Sequence, residues 1–135
     1  EVFRVLAGEA GSWPVPSDKR ARIEEGFSTS SAYYDGFITA SDSSEIRLKP
    51  HRDLYSIALH RMGIPPEAFH QVVGFEDSES GTIAIRAAGI PCCCALPFPE
   101  TRDHRFDAAS VVAYGGIPEV MLRHRVFLPP ALIAP

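Results

Sequence analysis

The sequence predicts an α/β domain with a parallel sheet covered by helices on both faces. Three short apolar runs carry that expectation: residues 70–75 (HQVVGF), 91–96 (PCCCAL) and 109–113 (ASVVA). Runs of this length without polar alternation are what strands buried on both faces look like. Between and around them lie helical stretches, and strands alternating with helices imply parallel pairing.

In chain order, residues 2–10 read as the end of a helix stopped by Gly11, and residues 13–17 (WPVPS) as a short strand weakened by two prolines. Residues 18–26 are expected to be helical, with Asp18 near the start and Gly26 past the end. Residues 36–40 (GFITA) read as a strand. Residues 50–63 form the clearest helix, with Leu54, Ile57, Ala58, Leu59 and Met62 on one face, Gly63 as its cap and Pro65–Pro66 beyond it. A helix over 80–88 ends at Gly89. A Pro-rich charged loop spans 97–107, a short helix 117–123, and a Pro-rich tail runs over 126–135.

Composition narrows the function. The chain of 135 residues suits one domain or a large piece of one, and 45% hydrophobic residues supply a core. Its net charge of −4 speaks against a nucleic-acid partner. No apolar run is long enough to span a bilayer, and no signal-peptide pattern opens the chain. The three cysteines, Cys92 to Cys94, are consecutive and make no disulfide framework, so a reducing cytoplasm is the expected location. Neighbouring residues on a strand face opposite ways, so these thiols do not converge on a metal and read as small core residues. None of the histidines has the spacing of a helical metal site. His51 lies near Lys49, and the Arg102–Arg105 stretch reads as a solvated loop.

The chemistry concentrates in two places. Phe75-Glu76-Asp77-Ser78-Glu79-Ser80-Gly81 follows a buried strand and opens a helix. Two acids at the C-terminal end of a parallel strand stand where such sheets hold ligands, and carboxylate oxygens are the hard donors that Mg²⁺ prefers. The plainer reading is an acidic helix start, with Asp77 or Ser78 capping free amides. The second place is Leu48-Lys49-Pro50, ahead of the clearest helix. Lysine offers a compact charge to a phosphoryl oxygen or a carboxylate, although a lone lysine is more commonly solvated.

Taken together, Lys49-Pro50, Asp53-Leu54-Tyr55, Ala58-Leu59, Met62-Gly63-Ile64-Pro65-Pro66-Glu67, Phe75-Glu76-Asp77-Ser78, Gly81 and Ala87-Ala88-Gly89-Ile90 resemble, in unbroken order, the haloacid-dehalogenase-like (HAD-like) superfamily, in the branch of β-phosphoglucomutases and sugar-phosphate phosphatases. The resemblance runs from about Ser17 to Val120 and implies a Rossmann-like core spanning 1–135 that lacks its first central strand and its cap. It implies that Lys49 holds the phosphoryl group and the charge of the nucleophile, that Glu76 and Asp77 hold Mg²⁺, and that Ser17 hydrogen-bonds a phosphoryl oxygen. The implied substrate is a small phosphate ester. A dehalogenase proper is a further branch of the same superfamily, and the Glu76–Asp77 pair favours the Mg²⁺ branch over it.

One part of the pattern is missing. The family's nucleophile is the first aspartate of an Asp-x-Asp, and this sequence contains none; Tyr33-Tyr34-Asp35 mimics only its second half. Phosphoryl transfer through an aspartyl-phosphate needs that carboxylate. Two expectations follow. In the favoured one, the chain is a segment of a longer enzyme, inactive alone, whose nucleophile and central strand come from a missing N-terminal segment or a partner chain. In the other, it is a catalytically dead relative acting as a binding or interaction module.

Overall fold

The structure is a computed structural model that describes residues 16–28, 34–124 and 126. The chain divides into two units, residues 1–37 and 38–135. The first contributes one described helix, α1 (Ser17–Ser28). The second contains α2 (Asp53–Arg61), β1 (Val73–Glu76), α3 (Glu79–Ala87), β2 (Cys92–Ala95), β3 (Val111–Val112) and α4 (Gly116–Glu119), followed by a π-helical turn over Val120–His124.

The three strands form one parallel sheet in the order β1-β2-β3. Val73 stands opposite Cys92 and Glu76 opposite Ala95, while Cys94 meets Val111. The ladder extends past the strand ends through Leu96 N–H to the Glu76 carbonyl (2.7 Å) and Ala113 N–H to the Ala95 carbonyl (2.9 Å). The strand spacing leaves the Cys93 amide to a side chain, and Ser110 Oγ accepts from it at 3.1 Å.

Each face of the sheet has its own core. On one, Cys93 packs with Leu59 of α2, Ile85 of α3 and Ile90, flanked by Tyr55, Phe69 and Val72. On the other, Cys94 packs with Ala113 and Val120, flanked by Cys92, Phe75 and Val111. The consecutive cysteines therefore do face opposite ways, as strand geometry requires, and both Cys93 and Cys94 are fully buried. Helical cover lies on both faces, as the apolar runs predict. Gly63 and Gly89 end their helices with positive φ (65° and 90°), the left-handed conformation that glycine adopts without steric cost.

Several expected elements differ. Residues 36–40 form no strand: the segment from 38 to 52 is irregular, ordered by polar bonds such as Thr39 Oγ1 to Asp42 (2.7 Å) and Arg61 to Asp42 (3.1 Å). Ser17 does not end a strand but opens α1, and residues 13–15 lie outside the described residues. The face of α2 turned to the core centres on Leu59 and Tyr55, while Met62 is half exposed. Pro65–Pro66 does not merely stop α2; Pro66 begins a 3₁₀ helix, Pro66–Gln71, where its fixed φ and missing N–H suit a first helical position. The expected helix over 117–123 resolves into α4 and the π-helical turn. Of the Pro-rich tail, Val126 alone is described, half-buried beside Cys94 and Val120; the readings of 2–11 also lie outside the described residues.

Candidate active site

The C-terminal end of β1 carries the candidate site, because β1 stops at Glu76 and α3 starts at Glu79, leaving two residues for the turn. Ser78 caps α3: its backbone is extended (φ −121°, ψ 153°) and its Oγ accepts the Gly81 N–H at 3.2 Å. A second amide, that of Glu79, donates to His104 Nδ1 at 3.3 Å. The plainer reading of this segment as a helix cap thus holds for Ser78, and it coexists with a polar cluster built on the acid before it.

That cluster is centred on Glu76, whose side chain is 6% exposed. Burying a carboxylate is costly unless partners replace its water, and here they do. Oε1 accepts from Lys49 Nζ and from the Tyr55 hydroxyl, both in short contacts. Oε2 accepts from Ser78 Oγ (3.1 Å) and from the Asp77 N–H (3.2 Å). Burial alone would raise the Glu76 pKa; hydrogen bonds from Lys49 and Tyr55, with the Lys49 charge, outweigh it and hold the carboxyl below its usual range. The Tyr55 hydroxyl is pushed the other way, up, by burial and then by its bond to the Glu76 charge, so it stays a donor. Lys49 Nζ also lies 5.8 Å from the centre of the Tyr55 ring, within cation–π range.

Lys49 reaches Glu76 from a turn. His51 N–H donates to the Leu48 carbonyl at 3.0 Å, and the Lys49–Pro50 peptide is cis. Asp53, the first residue of α2, accepts from the Arg47 N–H (2.9 Å), Nε (3.0 Å) and guanidinium NH2 (3.1 Å). These bonds from Arg47, side chain before backbone, hold the Asp53 carboxyl down at about 2. His51 Nδ1 stands 2.9 Å from Asp53 Oδ1 without the alignment of a hydrogen bond.

The predicted residues therefore separate into three groups. Lys49 and Glu76 meet directly. Asp77 is adjacent and half-buried, and its carboxylate makes no hydrogen bond or ion pair among the described residues. Ser17 is exposed in the first turn of α1, in the other unit of the chain. Tyr55 is the member that sequence reasoning missed. Its signal was its place on α2 close behind Lys49, in a position that a strictly apolar reading of the helix assigns to the core.

As donors for Mg²⁺, the acids fit in type, since that ion takes one or two protein carboxylates and fills its octahedron with waters and substrate oxygens. Both Glu76 oxygens already serve Lys49, Tyr55 and Ser78, so Asp77 is the carboxylate free for a cation. No group of three His, Cys, Asp or Glu residues able to hold a metal occurs among the described residues.

No protein-family model matches the chain. Over 77 residues it is 35% identical to the putative phosphatase YhcW of Bacillus subtilis (strain 168), covering 52% of this chain and 32% of that protein. Its fold is similar to the crystal structure of CbbY from Rhodobacter sphaeroides in complex with phosphate, with a TM-score of 0.50 and 30% identity over 58% of this chain and 33% of that one. The chain thus spans about a third of the length of the relatives it matches.

Proposed function

This chain belongs, over the half of its length that matches, to the HAD-like superfamily, and from that premise we propose that it is the lysine- and acid-bearing part of a phosphatase-type hydrolase. In this reading it is a Mg²⁺-dependent phosphatase or phosphomutase acting on a small phosphate ester such as a sugar phosphate. The observation that carries the reading is the pairing of Lys49 with Glu76 at the end of β1, beside the unengaged Asp77 carboxylate.

Lys49 holds a positive charge at the mouth of the turn, its side chain 36% exposed. An arriving phosphoryl group shares the ammonium protons with Glu76, and the fixed charge stabilises oxygens that grow more negative in the transition state. Glu76, held by Tyr55 and Ser78, aims the Lys49 ammonium. Asp77 supplies the carboxylate for Mg²⁺, and the ion, when bound, neutralises phosphoryl charge. Ser17 is the proposed hydroxyl donor to a phosphoryl oxygen. The attacking aspartate lies outside this segment, on a strand from the missing N-terminal part of the protein or from a partner chain. β1 supports this, since it has β2 on one side and no strand on the other among the described residues. No described helix is long and apolar enough to cross a membrane, and a cytoplasmic location is part of the same proposal.

The test uses the full-length protein with p-nitrophenyl phosphate and a set of sugar phosphates, with Mg²⁺ and after chelation. Turnover that needs the metal and falls at least about 100-fold in Lys49→Ala, equivalent to about 2.7 kcal/mol of transition-state stabilisation, is expected. Full turnover in Lys49→Ala rejects it. The second reading, a binding module without catalysis, is favoured by the absence of any Asp-x-Asp from this sequence. It predicts calorimetric binding of inorganic phosphate by the full-length protein with no turnover of any ester.

A further inference from the structure

The Lys49 turn has no apolar anchor. Leu48 is 66% exposed, and the irregular segment around it contributes no fully buried side chain. A lysine side chain has many accessible rotamers, so a turn that wandered would leave its ammonium spread over many positions. What closes the turn is the Arg47–Asp53 contact. The Asp53 carboxylate accepts three N–H groups from Arg47, two of them in the planar fork that only a guanidinium offers. Asp53 is itself fixed as the first residue of α2, where a carboxylate faces the positive helix end. Two residues on either side of the Lys49–Pro50 turn are thereby joined, and Tyr55, two residues further along the same helix, meets Lys49 on the same Glu76 oxygen.

We propose that Arg47 and Asp53 form a clasp that positions Lys49 on Glu76, making both of them positioning residues for the phosphoryl-binding lysine. The inference rests on the functional reading above for its purpose, but the clasp itself is a statement about where Lys49 is held. With the Arg47 side chain 67% exposed, solvent screens the pair, so a purely structural role would change folding little and would leave the state of Lys49 untouched. A positioning role does the opposite: folding persists and Lys49 is released.

Lysine reactivity reads this directly. The sequence contains two lysines, Lys19 and Lys49, so an amine-acylating reagent followed by peptide mass spectrometry reports Lys49 against Lys19 in the full-length protein. In the wild type the Glu76-paired amine of Lys49 is protected. In Arg47→Ala and Asp53→Asn its labelling rate relative to Lys19 rises at least about fivefold, while the melting midpoint stays within a few degrees. Arg47→Lys, which keeps the charge but loses the fork, lies between. Arg105→Ala breaks another exposed Arg–Asp contact, with Asp107, and leaves Lys49 labelling unchanged. Labelling of Lys49 that stays within twofold of wild type in both clasp variants overturns the proposal, as does a rise that appears only where the variant has unfolded. Because labelling needs no substrate, these outcomes stand apart from whether the protein hydrolyses phosphate esters.

Discussion

A Cβ placed on Gly81 would stand 2.0 Å from both Cδ and Oε2 of Glu76, so the Glu76 carboxylate occupies the space that any other residue at position 81 would fill. Glycine inside a helix ordinarily costs 0.5–1 kcal/mol relative to alanine, and on helix propensity alone Gly81→Ala should stabilise α3. The contact reverses that sign. Alanine displaces Glu76 from Lys49, Tyr55 and Ser78, and overpacking of this kind costs about 1–3 kcal/mol. Urea unfolding of the full-length variant should show a lower midpoint with unchanged slope and, under the proposed function, loss of phosphate-ester turnover. A midpoint raised above wild type would mean that Glu76 has another place to go.

Tyr55→Phe isolates the hydroxyl. The ring keeps its packing beside Leu59, Ile85 and Cys93, and Glu76 loses one of its two Oε1 donors. A hydrogen bond to a charged group contributes about 1.5–3 kcal/mol, and the loss here is expected near the lower figure because Lys49 stays in place. Chemical denaturation measures it. An effect below about 0.3 kcal/mol would assign the Tyr55 hydroxyl to water rather than to Glu76.

How much of this arrangement the sequence discloses depends on how local the cause is. β1, β2 and β3 were legible because strands buried on both faces must be apolar throughout, and HQVVGF, PCCCAL and ASVVA satisfy that. GFITA at 36–40 has similar composition but pairs with no strand among the described residues; propensity without pairing makes no sheet. Lys49, Glu76 and Asp77 were legible as a spaced pattern. The division of labour between the two acids was not, because which carboxylate is engaged depends on Tyr55, Lys49 and Ser78 meeting in space. The Arg47–Asp53 clasp was hidden for the same reason: on paper both are ordinary surface charges.

Acid should weaken the fold mainly through Glu76, the more buried of two depressed carboxyls, while Asp53, paired with the solvent-screened Arg47, contributes less. Glu76 and Asp53 both have folded-state pKa values below their ordinary ones, 4.5 and 3.8, and Asp53 lies at about 2. A depressed carboxyl binds fewer protons folded than unfolded, so its contribution is fully present above the ordinary value and is lost as pH falls through the folded one. Stability should therefore decline from about pH 4.5 downward and go on declining to about pH 2. Urea midpoints measured from pH 6 to pH 2 should fall less steeply in Glu76→Gln and Asp53→Asn than in wild type. Parallel curves in all three proteins would place the acid sensitivity elsewhere.

Alkaline pH and thiol reagents probe the central strand of the same sheet. Burial pushes the Cys93 thiol up to about 11 and, with its Cys92 neighbour, the Cys94 thiol up to about 12. The thiolate is the reactive form, so at pH 8 neither residue should react with iodoacetamide in the native protein, whereas Cys92, only half-buried, should react faster than both. The linkage has a definite sign. Above the ordinary thiol value of 9.0 the unfolded chain ionises while the folded chain does not, so the unfolded state binds fewer protons and stability falls as pH rises from about 9 towards 11. Cys93→Ala removes one of these titrations but opens a cavity between Leu59, Ile85 and Ile90. It should lower the stability at pH 7 by about 1 kcal/mol and flatten the decline above pH 9. Rapid native labelling of Cys93, with the fold intact, would show that β2 opens to solvent on the reagent's timescale and is not the closed centre of the sheet.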